Sequence, residues 1–255
     1  MTERADHRGR WASRAVQALF LIGLIALWYF GTTWGHVSPI LLPNPVSVLD
    51  ELMEVLRTGE FVGDLRITLT ELAIAFLVSA SSGTIVGYLI SRSPYAIKVF
   101  EPLMAGAYSI PVILFLPLYV LFFGLGPGSK IALGTTISFF PIVLNTIAGF
   151  GYVEKIFITA ARSMGASDFQ MFRYVLLPAA LPVMLTGLRI GFTVALLSIL
   201  GSETIASLEG LGHRIVHLAE AMETARMFAY IAFAVVIAAT LNSVVSSLER
   251  RAKRR

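Results

Sequence analysis

The chain has 255 residues, of which 56% are hydrophobic and 14% are charged, and its formal net charge is +4. So few polar residues cannot cover the surface of a soluble domain, so the composition predicts a membrane protein. The absence of cysteine excludes disulfides and thiolate chemistry. The positive charge needs no nucleic-acid partner, because basic loop residues are attracted by the headgroups of anionic membrane lipid.

Six long apolar blocks are separated by short polar or Gly/Pro-rich segments. A helix that crosses about 30 Å of hydrocarbon needs roughly 20 apolar residues. The blocks are continuously apolar and do not alternate with polar residues, which favours helices over the strands of a barrel. The sequence therefore predicts an all-α polytopic membrane protein with about six transmembrane helices. The predicted spans are 16–37, 70–91, 99–124, 131–151, 179–202 and 227–248.

Basic residues predict the orientation of these spans. No cleavage site of small residues follows the first block, so we interpret it as an uncleaved first span behind a basic N-terminal segment. Threading six spans places most basic loop residues on the side of the N-terminus, which by the positive-inside rule is the cytoplasm. The predicted divisions are a cytoplasmic segment 1–15, a transmembrane domain 16–249 and a basic cytoplasmic tail 250–255.

A short amphipathic helix is predicted between the first two spans, because Asn44 can cap a helix that begins at Pro45 and carries one apolar stripe. We expect it at the outer membrane surface or against the bundle. Further along, Pro111, Pro117 and Pro141 interrupt the third and fourth spans. Broken helices of this kind either line a cavity or are merely kinked inside protein, and the sequence leaves both interpretations open.

The longest polar interruption on the predicted cytoplasmic side is the loop 154–178, between the fourth and fifth spans. Small Ala160 and Ala161 lie in its first part, Gly165 breaks the helix, and Ser167 can cap a second one. Pro178 then suits the first turn of the next span. The loop is predicted to be a helix, a tight turn and a second helix.

This loop resembles the EAA loop of binding-protein-dependent ABC importer permeases. The positions that match that pattern in register are Ala160, Ala161, Gly165, Val175, Leu177 and Pro178. The sequence departs from the family at Thr159, where relatives carry an acidic residue. A plainer interpretation of the small residues is that they let an interfacial helix pack on its own bundle.

The resemblance implies that the loop forms a coupling helix that docks into a groove on a separate ATPase subunit. The residues implied in this coupling are Thr159, Ala160, Ala161, Arg162, Gly165, Ala166, Leu177 and Pro178. It implies two ABC ATPase subunits that bind ATP and Mg, a second permease copy in a homodimer, and a periplasmic or lipid-anchored substrate-binding protein. This chain would be a non-enzymatic permease of the cell inner membrane, without a cofactor of its own.

Landmarks along most of the chain resemble the subgroup that imports nitrate, sulfonates, taurine and related small organic acids. Relatives in this subgroup also import aromatic acids, riboflavin and pyrimidine vitamin precursors. The landmarks are Leu42-Pro43-Asn44-Pro45, Ser109-Ile110-Pro111, Pro117-Leu118, Phe122-Phe123-Gly124-Leu125-Gly126, Ser129-Lys130, Phe139-Phe140-Pro141 and Gly210-Leu211-Gly212.

A selective path through the membrane needs polar groups that face inward. The candidates for this substrate path are Ser109, Thr135, Ser138, Asn145, Ser198 and Glu203. Such groups also commonly bond their own helix or a neighbouring one. Glu203 could line the exit of the path or hold the outer loop 210–212, with equal weight for either role.

Other ionisable residues carry weaker signals. Glu101 and Arg189 lie near the predicted cytoplasmic ends of spans, where they either snorkel or pair with each other. His213 and His217 are four residues apart, but without a third ligand the sequence predicts no metal site. The rival functions are a secondary transporter or channel that works without an ATPase, and an intramembrane enzyme. The first predicts coupling charges at mid-membrane and the second predicts convergent catalytic groups, and neither pattern is visible.

Overall fold

The structure is a computed structural model that describes residues 2–35 and 38–253, with the side chains of residues 2–15 and 18 outside that description. The end of the first predicted span at 36–37 and the last two residues of the predicted tail, 254–255, also lie outside the described residues. In chain order the helices are α1 (Thr2–Trp34), α2 (Pro45–Thr58), α3 (Phe61–Ser91), α4 (Pro94–Tyr108), a 3₁₀ turn (Val112–Phe115), α5 (Leu116–Phe123), α6 (Pro127–Gly151), α7 (Lys155–Ser163), α8 (Asp168–Met171), a π-helical turn (Phe172–Leu176), α9 (Leu177–Ile205), α10 (Leu211–Glu220) and α11 (Thr224–Lys253).

Four helices in the described part of the chain are long and apolar enough to cross a membrane. They are Phe61–Ser91, Pro127–Gly151, Asp168–Ile205 and Thr224–Lys253. The pair Pro94–Tyr108 and Val112–Phe123 forms a fifth candidate, bent by 73°. The all-helical, multi-pass prediction is confirmed, whereas the count of six stays a prediction. Within the described side chains, the apolar stretch of α1 is Leu19–Trp34.

The chain divides into two compact units. One unit consists of Met1–Phe61 with Ile215–Phe233, and the other of Val62–Arg214 with Ala234–Arg255. In the first unit, the indole N–H of Trp28 donates to the carbonyl of Pro43 at 3.1 Å. Arg226 pairs there with Glu60 at 2.6 Å. These contacts tie α1, α2 and the start of α11 together within that unit.

The core of the second unit lies where α6 packs against α3, α4 and α9. One apolar cluster joins α3 and α9 through Leu72, Ala75, Ala195, Leu196 and Ile199. A second joins the end of α3 and the start of α4 to α6 through Ile90, Ile97, Val143 and Ile147. Because lipid is as apolar as these side chains, such packing depends on close fit and not on escape from water.

Glycines on α3 and α9 let those helices approach α6 closely. A Cβ atom on Gly87 would lie 2.6 Å from Cβ of Thr146 and 2.9 Å from the carbonyl oxygen of Val143. On α9, a Cβ atom on Gly191 would lie 2.6 Å from Cγ1 of Ile142. These distances are below any normal carbon contact, so only glycine fits at either helix crossing.

The prolines affect the spans unequally. At Pro111 the third predicted span does break, and Pro117 lies in the first turn of α5 after the break. The expectation that Pro141 interrupts the fourth span is wrong, because α6 continues through it. Pro141 is buried against neighbouring helices, a setting in which a transmembrane helix tolerates the lost hydrogen bond.

The predicted amphipathic helix is confirmed as α2. The side chain of Asn44 caps its first turn by accepting a hydrogen bond from the N–H of Val46 at 2.9 Å, and Pro45 occupies the first helical position. Gly59 ends the helix with φ +72°, a conformation that glycine adopts without strain.

Candidate functional site

The loop 154–178 has the predicted helix–turn–helix form. Helix α7 ends in a Schellman motif: the N–H of Ala166 donates to the carbonyl of Ala161 at 3.0 Å, and the N–H of Gly165 to that of Arg162 at 2.9 Å. Gly165 has φ +76°, which explains the glycine at this position. The two small residues Ala161 and Ala166 therefore sit at the ends of the bond that closes the turn.

A capping box begins the second helix of the loop. The N–H of Gln170 donates to Oγ of Ser167 at 3.3 Å, and the N–H of Ser167 donates to Oε1 of Gln170 at 2.9 Å. One π turn then leads into α9, in which the N–H of Leu177 donates to the carbonyl of Phe172. Pro178, which has no N–H to donate, follows directly, and this missing donor accounts for the local widening of the helix.

The loop presents an apolar surface. Ile156, Phe157, Met164 and Phe169 are between 54% and 86% exposed. Of the residues predicted to couple to an ATPase, five are exposed, namely Thr159, Ala160, Arg162, Gly165 and Pro178. The other three are half-buried, namely Ala161, Ala166 and Leu177. Exposed large apolar side chains on an ordered element mark a surface that binds a partner or a membrane.

Glu101 and Arg189, which were predicted near the cytoplasmic ends of spans, each bond a different residue. Nε of Arg189 lies 2.9 Å from Oε2 of Glu249, which is 9% exposed and also pairs with Lys253 at 2.6 Å. Glu101 accepts a hydrogen bond from the hydroxyl of Tyr152 at 3.0 Å, and this bond and the nearby negative charge raise the pKa of Tyr152. Glu101 and Arg189 thus have separate partners, so the suggestion that they pair with each other is wrong.

The uncharged residues predicted to line a path mostly bond helix backbone. Ser109, Ser138 and Asn145 donate to carbonyls four residues earlier, at 3.0, 2.6 and 2.8 Å. Oγ1 of Thr135 donates to the carbonyl of Ala75 on α3 at 3.3 Å. The structure does not bring these four into one cluster of hydrogen bonds, and their role in a substrate path stays a prediction.

The two remaining candidates for the substrate path, Ser198 and Glu203, are both buried. Oγ of Ser198, in a residue 8% exposed, has no hydrogen-bond partner among the described residues. Oε2 of Glu203 accepts from the N–H of Gly212 at 2.8 Å, and Oε1 accepts from the hydroxyl of Thr68 at 2.6 Å. Of the two roles considered for Glu203, its contacts match that of holding the 210–212 loop.

Sequence reasoning missed two further ionisable residues that are buried. Glu71 is 2% exposed and Lys130 is fully buried. The ammonium of Lys130 donates to the carbonyls of Leu125 and Gly126, which end the α5–α6 connection. The sequence did contain a signal for Glu71, because an acidic residue within an apolar helix is costly and indicates a specific role. Nothing in the sequence indicated which residue would lie next to it.

The described residues contain no group of three or more His, Asp or Glu side chains that could hold a metal ion. His213 and His217 therefore have no third ligand there. The arrangement as a whole combines several apolar helices, buried polar contacts that fasten them, and an ordered loop with an apolar surface. It defines a multi-pass membrane protein whose loop suits the binding of a partner.

Comparison with known protein families identifies the family of this chain. The family model described as "Binding-protein-dependent transport system inner membrane component" matches residues 79–255, and the chain belongs to this family. The taurine transport system permease protein TauC of Escherichia coli is 34% identical over 89% of this chain and 85% of that protein. The putative aliphatic sulfonates transport permease protein SsuC of Bacillus subtilis is 32% identical over 89% of this chain and 83% of that protein.

Solved structures share the fold. An inward-facing structure of the MetNI methionine ABC transporter matches with a TM-score of 0.64 and 19% identity, over 77% of this chain and 97% of the matched chain. An amino acid ABC transporter crystallised with histidines matches with a TM-score of 0.61 and 22% identity, over 80% and 97%. The family model and the relatives TauC and SsuC confirm, at the level of the family, the resemblance to ABC importer permeases inferred from the loop 154–178.

Proposed function

We propose that this chain is the permease subunit of an ABC importer for a small organic acid, with taurine and other aliphatic sulfonates the favoured class. The substrate class is supported by the names of two relatives above 30% identity, TauC and SsuC. The subgroup resemblance favours a wider set of substrates, which also includes nitrate and organic acids related to taurine. The permease domain would span 16–249, with both termini in the cytoplasm.

The observation that carries the coupling role is the exposed loop 154–178. Its apolar side chains have no cover within the described chain, and its turn is held by backbone hydrogen bonds. A rigid, partly apolar element suits transmission of movement between proteins, since little ordering is needed on docking. Two ATPase subunits that bind ATP and Mg would dock there, and closure of these subunits would switch the spans between inward and outward access.

The other partners follow from this mechanism. A second copy of the chain would complete the path, which would include Ser109, Thr135, Ser138, Asn145 and Ser198. A periplasmic or lipid-anchored binding protein would deliver the solute. ATP chemistry would then reside in the ATPase subunits, and the chain itself would need no cofactor.

Reconstitution of the complete transporter tests this proposal. We expect taurine or an alkanesulfonate to enter proteoliposomes only when the cognate ATPase subunit, binding protein and ATP are present. The measurement is uptake of labelled solute, with riboflavin and nitrate as comparison solutes. ATP-independent uptake by the chain alone would contradict the proposal and favour the secondary transporter or channel. ATP-driven uptake of another solute would overturn only the substrate class.

A further inference from the structure

Three ionisable side chains are buried together in the unit built from Val62–Arg214 and Ala234–Arg255. They are Glu71 on α3, Lys130 at the start of α6 and Glu203 near the end of α9, each at most 2% exposed. If all three were ionised, the cluster would carry a net charge of −1. A buried charge without compensation is costly, so the cluster calls for one further proton or cation.

Hydrogen bonds distinguish the two carboxyl groups. Both oxygens of Glu203 accept hydrogen bonds, from Thr68 at 2.6 Å and from the N–H of Gly212 at 2.8 Å. Oε2 of Glu71, by contrast, has no partner among the described residues. Donors that point at a carboxyl group stabilise its ionised form, and burial without donors disfavours it. These contacts suit Glu203 to the ionised form and Glu71 to the protonated form.

Glu71 lies one helical turn beyond Thr68, whose hydroxyl donates to Glu203 at 2.6 Å. One turn further along, the same helices touch, because a Cβ atom on Gly134 would lie 3.3 Å from Cβ of Ala75 and 3.2 Å from Cγ1 of Ile199. The two carboxyl groups therefore lie side by side where α3 and α9 meet, within reach of a shared hydrogen bond. Two carboxylates cannot make such a bond without a proton between them, since both are acceptors only. Among the described residues, the hydrogen bonds of the Lys130 ammonium go to the carbonyls of Leu125 and Gly126 and not to either carboxyl group.

We infer that Glu71 carries a proton that it donates to the Glu203 carboxylate, and that this buried acid–carboxylate pair positions the 210–212 loop. The loop lies directly on the pair: a Cβ atom on Gly212 would lie 2.6 Å from Cβ of Glu203. The N–H of Leu211 also donates to Oγ1 of Thr68, at 3.0 Å, so Thr68 links α3, Glu203 and the loop.

The other charges near the pair favour this assignment. Glu209, in the connection between α9 and α10, adds negative charge near Glu71. Arg214, at the start of α10, pairs with Asp64 on α3 at 3.3 Å, and His213 also lies near Asp64. Lys130 on α6 is the cation that is buried as fully as the pair, and one ammonium balances one carboxylate.

Infrared spectroscopy of the full-length protein in lipid tests the inference. We expect the wild-type spectrum to contain the C=O stretch of a buried protonated carboxylic acid, and we expect Glu71→Gln to remove it. Glu249→Gln serves as the matched control. Glu249 is also buried, but it faces Arg189 and Lys253, so its replacement is expected to leave the band in place. A wild-type spectrum without this band, or a band that persists in Glu71→Gln, would overturn the inference.

Stability provides a second measurement. Glutamine has nearly the shape of a protonated glutamate and its amide can donate to Glu203, so Glu71→Gln is expected to keep the wild-type melting temperature and protection of the 210–212 loop from hydrogen exchange. Glu71→Ala removes the donor and is expected to lower both. Equal losses in Glu71→Gln and Glu71→Ala would mean that an ionised Glu71 is required, which contradicts the proton assignment. These measurements need neither substrate nor ATPase, so they are independent of the proposed function.

Discussion

Replacement of Gly165 by aspartate is expected to lower ATP-driven uptake on the order of tenfold or more, because the turn lies at the centre of the proposed docking surface. Gly165 is exposed, and a Cβ atom there would meet nothing within 4 Å of the rest of the chain. The substitution therefore has no steric conflict inside the permease. Its cost to the fold is limited to the positive φ of +76°, about 1 kcal/mol for a residue that tolerates this region.

The chain offers a closely matched control at Gly59. This glycine ends α2 in the same left-handed region, with φ +72° and ψ 15°. It lies between α2 and α3, outside the loop 154–178. Gly59→Asp is therefore expected to carry a similar backbone cost while ATPase association is retained.

Association and uptake are measured on purified complexes of the two variants. If Gly165→Asp binds the ATPase subunit and transports as well as Gly59→Asp does, the loop is not the coupling element. A loss of the folded permease itself would show as a lower melting temperature and would identify the backbone as the cause.

The membrane architecture could be predicted because it depends on local properties of the sequence. Length and apolarity define the spans. In the loop 154–178, a glycine suited to the left-handed conformation, a capping serine and a proline predict where the helices end and begin. Gly165 and Ser167 occupy the roles in the structure that were predicted for them.

The buried polar cluster could not be predicted in the same way. Thr68 and Glu203 are 135 positions apart in the chain, and their 2.6 Å hydrogen bond depends on how α3 and α9 meet. Hydropathy placed Lys130 in a loop, because a lysine next to Gly and Pro is normally solvated. Its burial depends on two backbone carbonyls that become available only once α5 ends and α6 begins.

Pro141 is a position where a local sequence preference gave the wrong prediction. Proline usually interrupts or kinks a helix, and the sequence alone does not show that α6 continues through Pro141. In α6 the surrounding helices bury the residue and keep the helix continuous, and Nδ2 of Asn145 donates to its carbonyl at 2.8 Å. Tertiary packing thus outweighs a strong local preference at a position where several helices meet.

The close fit between α3 and α6 predicts a large loss of stability from a single added methyl group. Gly87→Ala is expected to lower the free energy of unfolding by about 1–3 kcal/mol, the usual cost of overpacking. The added Cβ atom would press on Cβ of Thr146 and on the carbonyl oxygen of Val143, neither of which is the end of a flexible side chain. The helices would have to separate, and the cluster of Ile90, Ile97, Val143 and Ile147 would lose contacts along with them.

Gly106→Ala on α4 is the matched control, because a Cβ atom there would meet nothing within 4 Å. Alanine favours a helix over glycine by about 1 kcal/mol, so this variant is expected to be as stable as the wild type or slightly more stable. The same change of Gly to Ala thus has opposite expected signs at the two positions. Thermal unfolding in lipid measures both, and a melting temperature of Gly87→Ala equal to that of Gly106→Ala would mean that α3 and α6 do not approach as closely as the structure places them.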